Sequence, residues 1–489
     1  MKRIAILFTT LLLAGSFSFG QDSLKTVKTT GHVSVNNKTI NYEATTGFLP
    51  LKDKSGKAIA NMFYVAYIKN DVSDVRTRPI TFVFNGGPGS SSAWLHMGAI
   101  GPMKVSTTDY GKAEIPPKTY KLVNNDQCWL DITDLVFIDP VGCGFSQPIG
   151  DEKAEQFYGY ENDIHTTGDF INQWTSENKR WGSPKYLAGE SYGTTRACGI
   201  ADYMTDTYQM YFNGISLISC ALDFETLREF ESNTLLPYIC NLPVYAELAI
   251  FHEVITPEKS TDEFIEDVED FAMNEYALAL LKGDLLSINE KYALAKKMES
   301  LIGINADIIL DHDLRIPSWQ FRKLLLDKQN LIIGRYDGRL TMFDPANNRD
   351  YAYDDPSYTE IAGAVSAAFN DYVRNELNYP IDTRFYLIGD VHPWKYGDGK
   401  YLNVTPQLRY SMFVNPNMEI LVANGKYDLA TSYFGTSYAI NHMNLPAQLR
   451  NKITFTYYNG GHMMYLVPSE LKKLKEDVSK MYERTQGNK

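Results

Sequence analysis

A recurring rhythm constrains this chain more than any other feature: short apolar runs of buried-strand type, several of them closed by a glycine-rich turn. The runs are Ile80 to Phe84, Leu135 to Ile138, Tyr186 to Ala188, Ile215 to Ser219, Ile420 to Ala423 and Ile453 to Tyr457. The turns are Asn85-Gly86-Gly87, Val141-Gly142-Cys143-Gly144, Asn424-Gly425 and Asn459-Gly460-Gly461. Strand, glycine turn and helix-like sequence, repeated in this way, predict an α/β sheet with helices on both faces. Residues 25–70 follow a different pattern. Alternating steps such as His32-Val33-Ser34-Val35 and the segment Met62 to Ile68 predict antiparallel edge strands.

The rhythm is interrupted between about 222 and 400. Glu258 to Ile302 is rich in Glu, Lys, Leu and Ala, with Phe264, Val268 and Phe271 at helical spacing and a break expected at Gly283. Leu314 to Asn330 also reads as helical, and Gly334 to Pro356 as irregular. A length of 489 residues suits one large domain with an insertion. The expected organisation is therefore a leader (1–20), a first α/β part (21–221), a mostly helical inserted cap (222–400) and a second α/β part (401–489). Pro468 to Tyr482 should close the chain as an amphipathic helix.

Lys2-Arg3, the apolar stretch Ile4 to Ala14 and the small residues around Ser18-Phe19-Gly20 predict a signal peptide cleaved after Gly20. Export to a periplasmic or extracellular space follows. About 11 apolar residues are too few to span a bilayer, and no later segment is long enough, so no membrane span is expected after cleavage. A formal charge of −12 argues against nucleic acid as a partner. The five cysteines match no zinc spacing, and no metal or other cofactor is expected. Their odd number leaves at least one free or intermolecular thiol, and most are expected as buried small hydrophobes with one disulfide at most.

The candidate site begins at Gly189-Glu190-Ser191-Tyr192-Gly193, between an apolar strand and a helix-compatible run from Thr194 to Met204. This is the form of a nucleophile elbow, in which a sharp turn presents one serine at the start of a helix. A serine hydroxyl needs a base, and the base needs a carboxylate to orient it. In α/β-hydrolases the chain order is Ser, acid, His. Asp428 is the acid placed after the run ending at Ala423. His462, in Gly460-Gly461-His462-Met463, follows the last run, whereas His442 sits in a helix-like surface context. Asp139 precedes the serine and reads as structural. The oxyanion hole is expected from the N–H of Tyr192 and from the loop Asn85-Gly86-Gly87-Pro88-Gly89-Ser90, with Gly87 as the second donor.

These segments, together with Asp139-Pro140-Val141-Gly142-Cys143-Gly144-Phe145-Ser146, resemble the serine carboxypeptidase family, in a form closest to its bacterial branch. The resemblance spans roughly residues 80–465. It implies an α/β-hydrolase fold, with a central mixed, mostly parallel sheet and a mostly helical cap. It also implies hydrolysis of C-terminal peptide bonds through an acyl-enzyme, with peptide or protein C-termini as substrate. An esterase or acyltransferase on the same scaffold is the alternative. By the same resemblance Asn85, Gly86 and a protonated Glu190 would bind the substrate's terminal carboxylate. Two departures stand out. Ala99 replaces the second Glu expected two residues before Gly101-Pro102, leaving burial to keep Glu190 neutral. Ser90 replaces a cysteine common among relatives. Residue preference, disulfide pairing and oligomeric state do not follow from the sequence.

Overall fold

The structure, a computed structural model, describes residues 26–112, 120–229, 234–345, 354–397 and 401–487. The expected leader at 1–20 lies outside the described residues. Nine strands form the backbone of a 10-stranded sheet. They are β1 (Val27–Val35), β2 (Lys38–Lys52), β3 (Ala58–Lys69), β4 (Ile80–Phe84), β5 (Asp134–Ile138), β6 (Lys185–Ser191), β7 (Gly214–Cys220), β8 (Glu419–Gly425) and β9 (Ile453–Tyr458). Their spatial order is β1-β2-β3-β5-β4-β6-β7-β8-β9, and the short strand Gln147–Pro148 pairs with β3.

The first three strands are antiparallel to one another, and β3 is antiparallel to β5; every pairing from β5 to β9 is parallel. This is the mixed, mostly parallel sheet the apolar runs predict. Strand side chains alternate between its faces. In β4, Val83 joins one core while Ile80, Phe82 and Phe84 join the other. The terminal helix Pro468–Gln486 covers the first face with Leu471, Leu474, Val478, Met481 and Tyr482, and Tyr482 stacks on Tyr186 of β6. The helices Tyr160–Glu177 and Tyr192–Tyr208 cover the other.

The stretch between β7 and β8 divides in two. Leu236–Phe251, Thr261–Phe271, Ala277–Lys282 and Ile288–Ile302 pack with Phe321 and Ile333 into an apolar cluster of their own. Gly283, at φ 51°, ends the run before it, as its sequence predicts. The helix Pro356–Asp371 instead sends Ile361, Ala364, Val365 and Phe369 into the core of the α/β body. Two expectations for this region need correction. The helix expected over Leu314 to Asn330 shortens to Ser318–Leu324: Pro317 disfavours helical backbone before it, and a separate 3₁₀ turn, Asp327–Gln329, takes the other end. The stretch from Gly334 is not wholly irregular, since Thr341–Phe343 pairs with Leu331–Ile333. All five cysteines are buried free thiols, so no disulfide forms. Burial pushes Cys128 and Cys240 up to about 12, which leaves them unreactive near neutral pH.

Candidate active site

The candidate residues gather at the carboxyl ends of β4, β6, β8 and β9, where open α/β sheets place their sites. Ser191 ends β6 at φ 59° and ψ −129°, a left-handed conformation that costs a non-glycine residue on the order of 1–3 kcal/mol. The surroundings hold it there by close backbone packing. A Cβ on Gly86 would come within 2.7 Å of both Glu190 O and Gly193 N, and one on Gly193 within 2.9 Å of Phe84 O. The elbow therefore sits directly on the loop after β4. Gly86, Gly87 and Ser191 all line one cavity, whose wall also includes Trp94, Tyr358 and His462.

Asp428 is fully buried in the turn after β8. Its Oδ1 accepts from the backbone N–H groups of Ala430 (2.7 Å) and Thr431 (3.0 Å). Its Oδ2 accepts from Thr431 Oγ1 and from His462 Nδ1, both at 2.7 Å. A carboxylate at Nδ1 keeps the proton on that nitrogen and leaves Nε2 free to act as a base. Burial opposes the charged form of His462, but Asp428 and Glu190 outweigh it and its pKa is raised. Among the described residues no hydrogen bond joins Ser191 Oγ to His462. Such contacts often tighten only when substrate is bound. His442 ends the helix Tyr433–Asn441 as an exposed side chain bonded to Tyr438 O. Asp139 accepts from Ser92 N and Oγ at 2.7 and 2.8 Å and braces the loop after β4; burial raises its pKa to about 6.

Glu190 lies beneath the serine, 2% exposed. Its Oε2 accepts from Asn85 Nδ2 and, at 2.8 Å, from Tyr465 Oη. Its Oε1 receives no hydrogen bond from the described residues, so an added proton belongs there, on the oxygen left to face a ligand. Burial raises the pKa of Glu190 to about 7, against the opposing pull of His462, Tyr465 and Asn85. Asn85 is held in turn: Oδ1 accepts from Leu95 N at 3.1 Å, and its carbonyl accepts from Arg196, which pairs with Asp163 at 2.8 Å. Ala99 is completely buried, and the Tyr465 ring lies against the neighbouring Gly98. A tyrosine, not a second carboxylate, is thus the partner of Glu190.

Tyr465 and the cavity-wall residues Trp94, Arg335, Tyr336 and Tyr358 are among the members that reasoning from sequence missed. Tyr465 follows His462 by one turn, and nothing in its context separates it from an ordinary core aromatic. Phe at 465 would keep the ring and remove a donor that favours the carboxylate. Tyr465→Phe is therefore expected to move to higher pH the alkaline limit of any hydrolysis that needs Glu190 protonated, with kcat/KM at pH 6 changed by less than about tenfold. A pH–rate profile of the variant checks this.

A serine on a strained strand-to-helix turn, a buried Asp–His pair and a glycine loop on a mostly parallel sheet are the arrangement found in the α/β-hydrolase class. The chain belongs to the serine carboxypeptidase family, whose sequence model matches residues 35–470. It is similar to serine carboxypeptidase-like 29 of Arabidopsis thaliana, 26% identical over 168 residues, which is 32% of this chain and 30% of that protein. It is also similar to the pheromone-processing carboxypeptidase KEX1 of Saccharomyces cerevisiae, 31% identical over 20% of this chain and 13% of that one. The matches thus span a third or less of these relatives' length. The crystal structure of a prohormone-processing carboxypeptidase from Saccharomyces cerevisiae shares the fold, with a TM-score of 0.53 and 15% identity over 90% of this chain and 91% of that one.

Proposed function

We propose that the chain is an exported serine carboxypeptidase that removes C-terminal residues from peptides through an acyl-enzyme. The observation that carries this reading is the pairing of Asp428 with His462 beside a buried carboxyl, Glu190, that can be neutral at the working pH. Ser191 Oγ attacks the scissile carbonyl while His462 Nε2 takes its proton. The N–H groups of Gly87 and Tyr192 hold the oxyanion, each donor worth about 2.7–4 kcal/mol in the transition state. His462 then protonates the leaving amine, and water releases the acyl group by the reverse relay. Asn85, Gly86 and protonated Glu190 bind the terminal carboxylate. The basic–apolar N-terminus supports export, and among the described residues no helix is long and apolar enough to cross a membrane.

The pH dependence follows from two protonation states. His462 must be neutral to act as base, so activity falls toward acid as pH drops through its raised pKa. Glu190 must be protonated to donate to a carboxylate, so binding is lost as pH rises through about 7. A bell-shaped kcat/KM is expected for N-blocked dipeptides, and only its acid limb for matched esters without a terminal carboxylate. Glu190→Gln keeps a donor at every pH and should remove the alkaline limb for peptides. Release of ester alcohol but never of a free amino acid, at any pH, leaves an esterase and defeats this reading.

A further inference from the structure

The cap side of the cavity is closed by Arg335 and Tyr336. Their backbone is tied to the acid and base of the site. Arg335 O accepts from Leu429 N at 3.1 Å, one residue beyond Asp428, and Tyr336 O accepts from His462 N at 2.5 Å. Arg335 N donates to Asp355 Oδ1 and Tyr336 N to Ser357 Oγ, both at 3.0 Å. Arg335 is thus fixed in place by its main chain. Its guanidinium does none of this holding. Among the described residues it makes no ion pair or hydrogen bond; it lies 5.3 Å over the Tyr336 ring, and its charge acts at longer range on the buried carboxyl of Glu229 and on His462.

Neighbouring arginines are engaged. Arg339 makes a two-pronged pair with Asp337 at 2.9 and 2.6 Å, and Arg322 donates to the carbonyls of Ile333 and Asp354. Asp355, the carboxylate bonded to Arg335 N, also accepts from Ser357 N and Oγ through the same oxygen. Glu190, His462, Tyr336 and Tyr358, the other titratable groups of the cavity wall, each have a neutral form. Arg335 alone carries a permanent charge there, on a planar fork suited to a carboxylate. With a net charge of −12 the protein as a whole repels acidic peptides, so any selectivity for them must be local.

We propose that Arg335 is a specificity-determining residue that selects substrates with an acidic side chain on a residue flanking the scissile bond. This rests on the carboxypeptidase reading, in which Asn85 and Glu190 already take the terminal carboxylate.

The test uses N-blocked dipeptides with Glu or Gln at either flanking position, and matched N-blocked Glu and Gln methyl esters. Wild type, Arg335→Ala and Arg335→Glu are compared at pH 6. Wild type should favour one Glu dipeptide over its Gln twin by about tenfold in kcat/KM at low salt, and by less as salt is added. Arg335→Ala should abolish that preference and leave the Gln substrates within about twofold; Arg335→Glu should invert it. No preference in wild type overturns the proposal. An equal loss in Arg335→Ala on Glu and Gln dipeptides that spares the methyl esters assigns Arg335 to the terminal carboxylate and also overturns it. An equal loss on every substrate, esters included, makes Arg335 structural and overturns the proposal too. If wild type cleaves esters but no peptide, the carboxypeptidase reading fails by itself. The ester pair then decides: a Glu preference lost in Arg335→Ala upholds the role of Arg335, and no preference refutes it.

Discussion

Ser191→Ala is expected to lower kcat on an N-blocked dipeptide by on the order of a millionfold while leaving the fold intact. The size follows from what the hydroxyl does. Without it no acyl-enzyme forms, and only the oxyanion donors and substrate binding remain, which support a residual roughly 10³–10⁴-fold over water. The stability should hardly change. Alanine inherits the same positive φ at the elbow, and the serine side chain makes no hydrogen bond among the described residues that alanine would forfeit. Steady-state kinetics beside a thermal melt separate the two effects. A variant that melts normally and keeps more than about a hundredth of its activity would remove Ser191 from the chemistry.

Asp428→Asn should cost about 10⁴ in kcat, the second largest effect. Asp428 offers only acceptors, and four donors use them: Ala430 N, Thr431 N, Thr431 Oγ1 and His462 Nδ1. An asparagine has one acceptor oxygen. If that oxygen keeps the two backbone donors, its NH₂ faces Nδ1 and forces the proton onto Nε2, the atom that must accept the serine proton. The geometry survives and the tautomer is wrong. The loss should appear in kcat more than in KM, since Asn85, Gly86 and Glu190, proposed to bind the terminal carboxylate, are untouched. A variant with near-normal kcat would mean that another group orients His462.

The sequence discloses the sheet and the candidate site for the same reason. Each of Asn85, Ser191, Asp428 and His462 stands just past, or at the end of, an apolar run, so once the runs are strands, these residues share one edge. What lies between β7 and β8 is less legible. The apolar stripe of Pro356–Asp371 specifies a face but not a partner, and that face joins the core of the α/β body instead of the helical cluster. The hairpin Leu331–Ile333 with Thr341–Phe343 has strands too short to display a period. Tyr465 is legible only once Glu190 is known to be buried, because its hydroxyl matters only through that contact. The missing Glu at position 99 is visible in the sequence; its consequence is not. Burial is the largest cause that takes Glu190 to the neutral range, with no carboxylate at 99 to help. Arg335 stays hidden because its meaning depends on which carboxylates already have partners, a property of the folded chain.

Mass-spectrometric product analysis of a defined peptide mixture at pH 6, each peptide supplied as the free acid and as the C-terminal amide, tests the assignment of a carboxypeptidase at its root. Single residues should be lost from the carboxyl end of the free acids, with the amides spared and no cleavage by Ser191→Ala. Internal cleavage, or equal trimming of acids and amides, would contradict it.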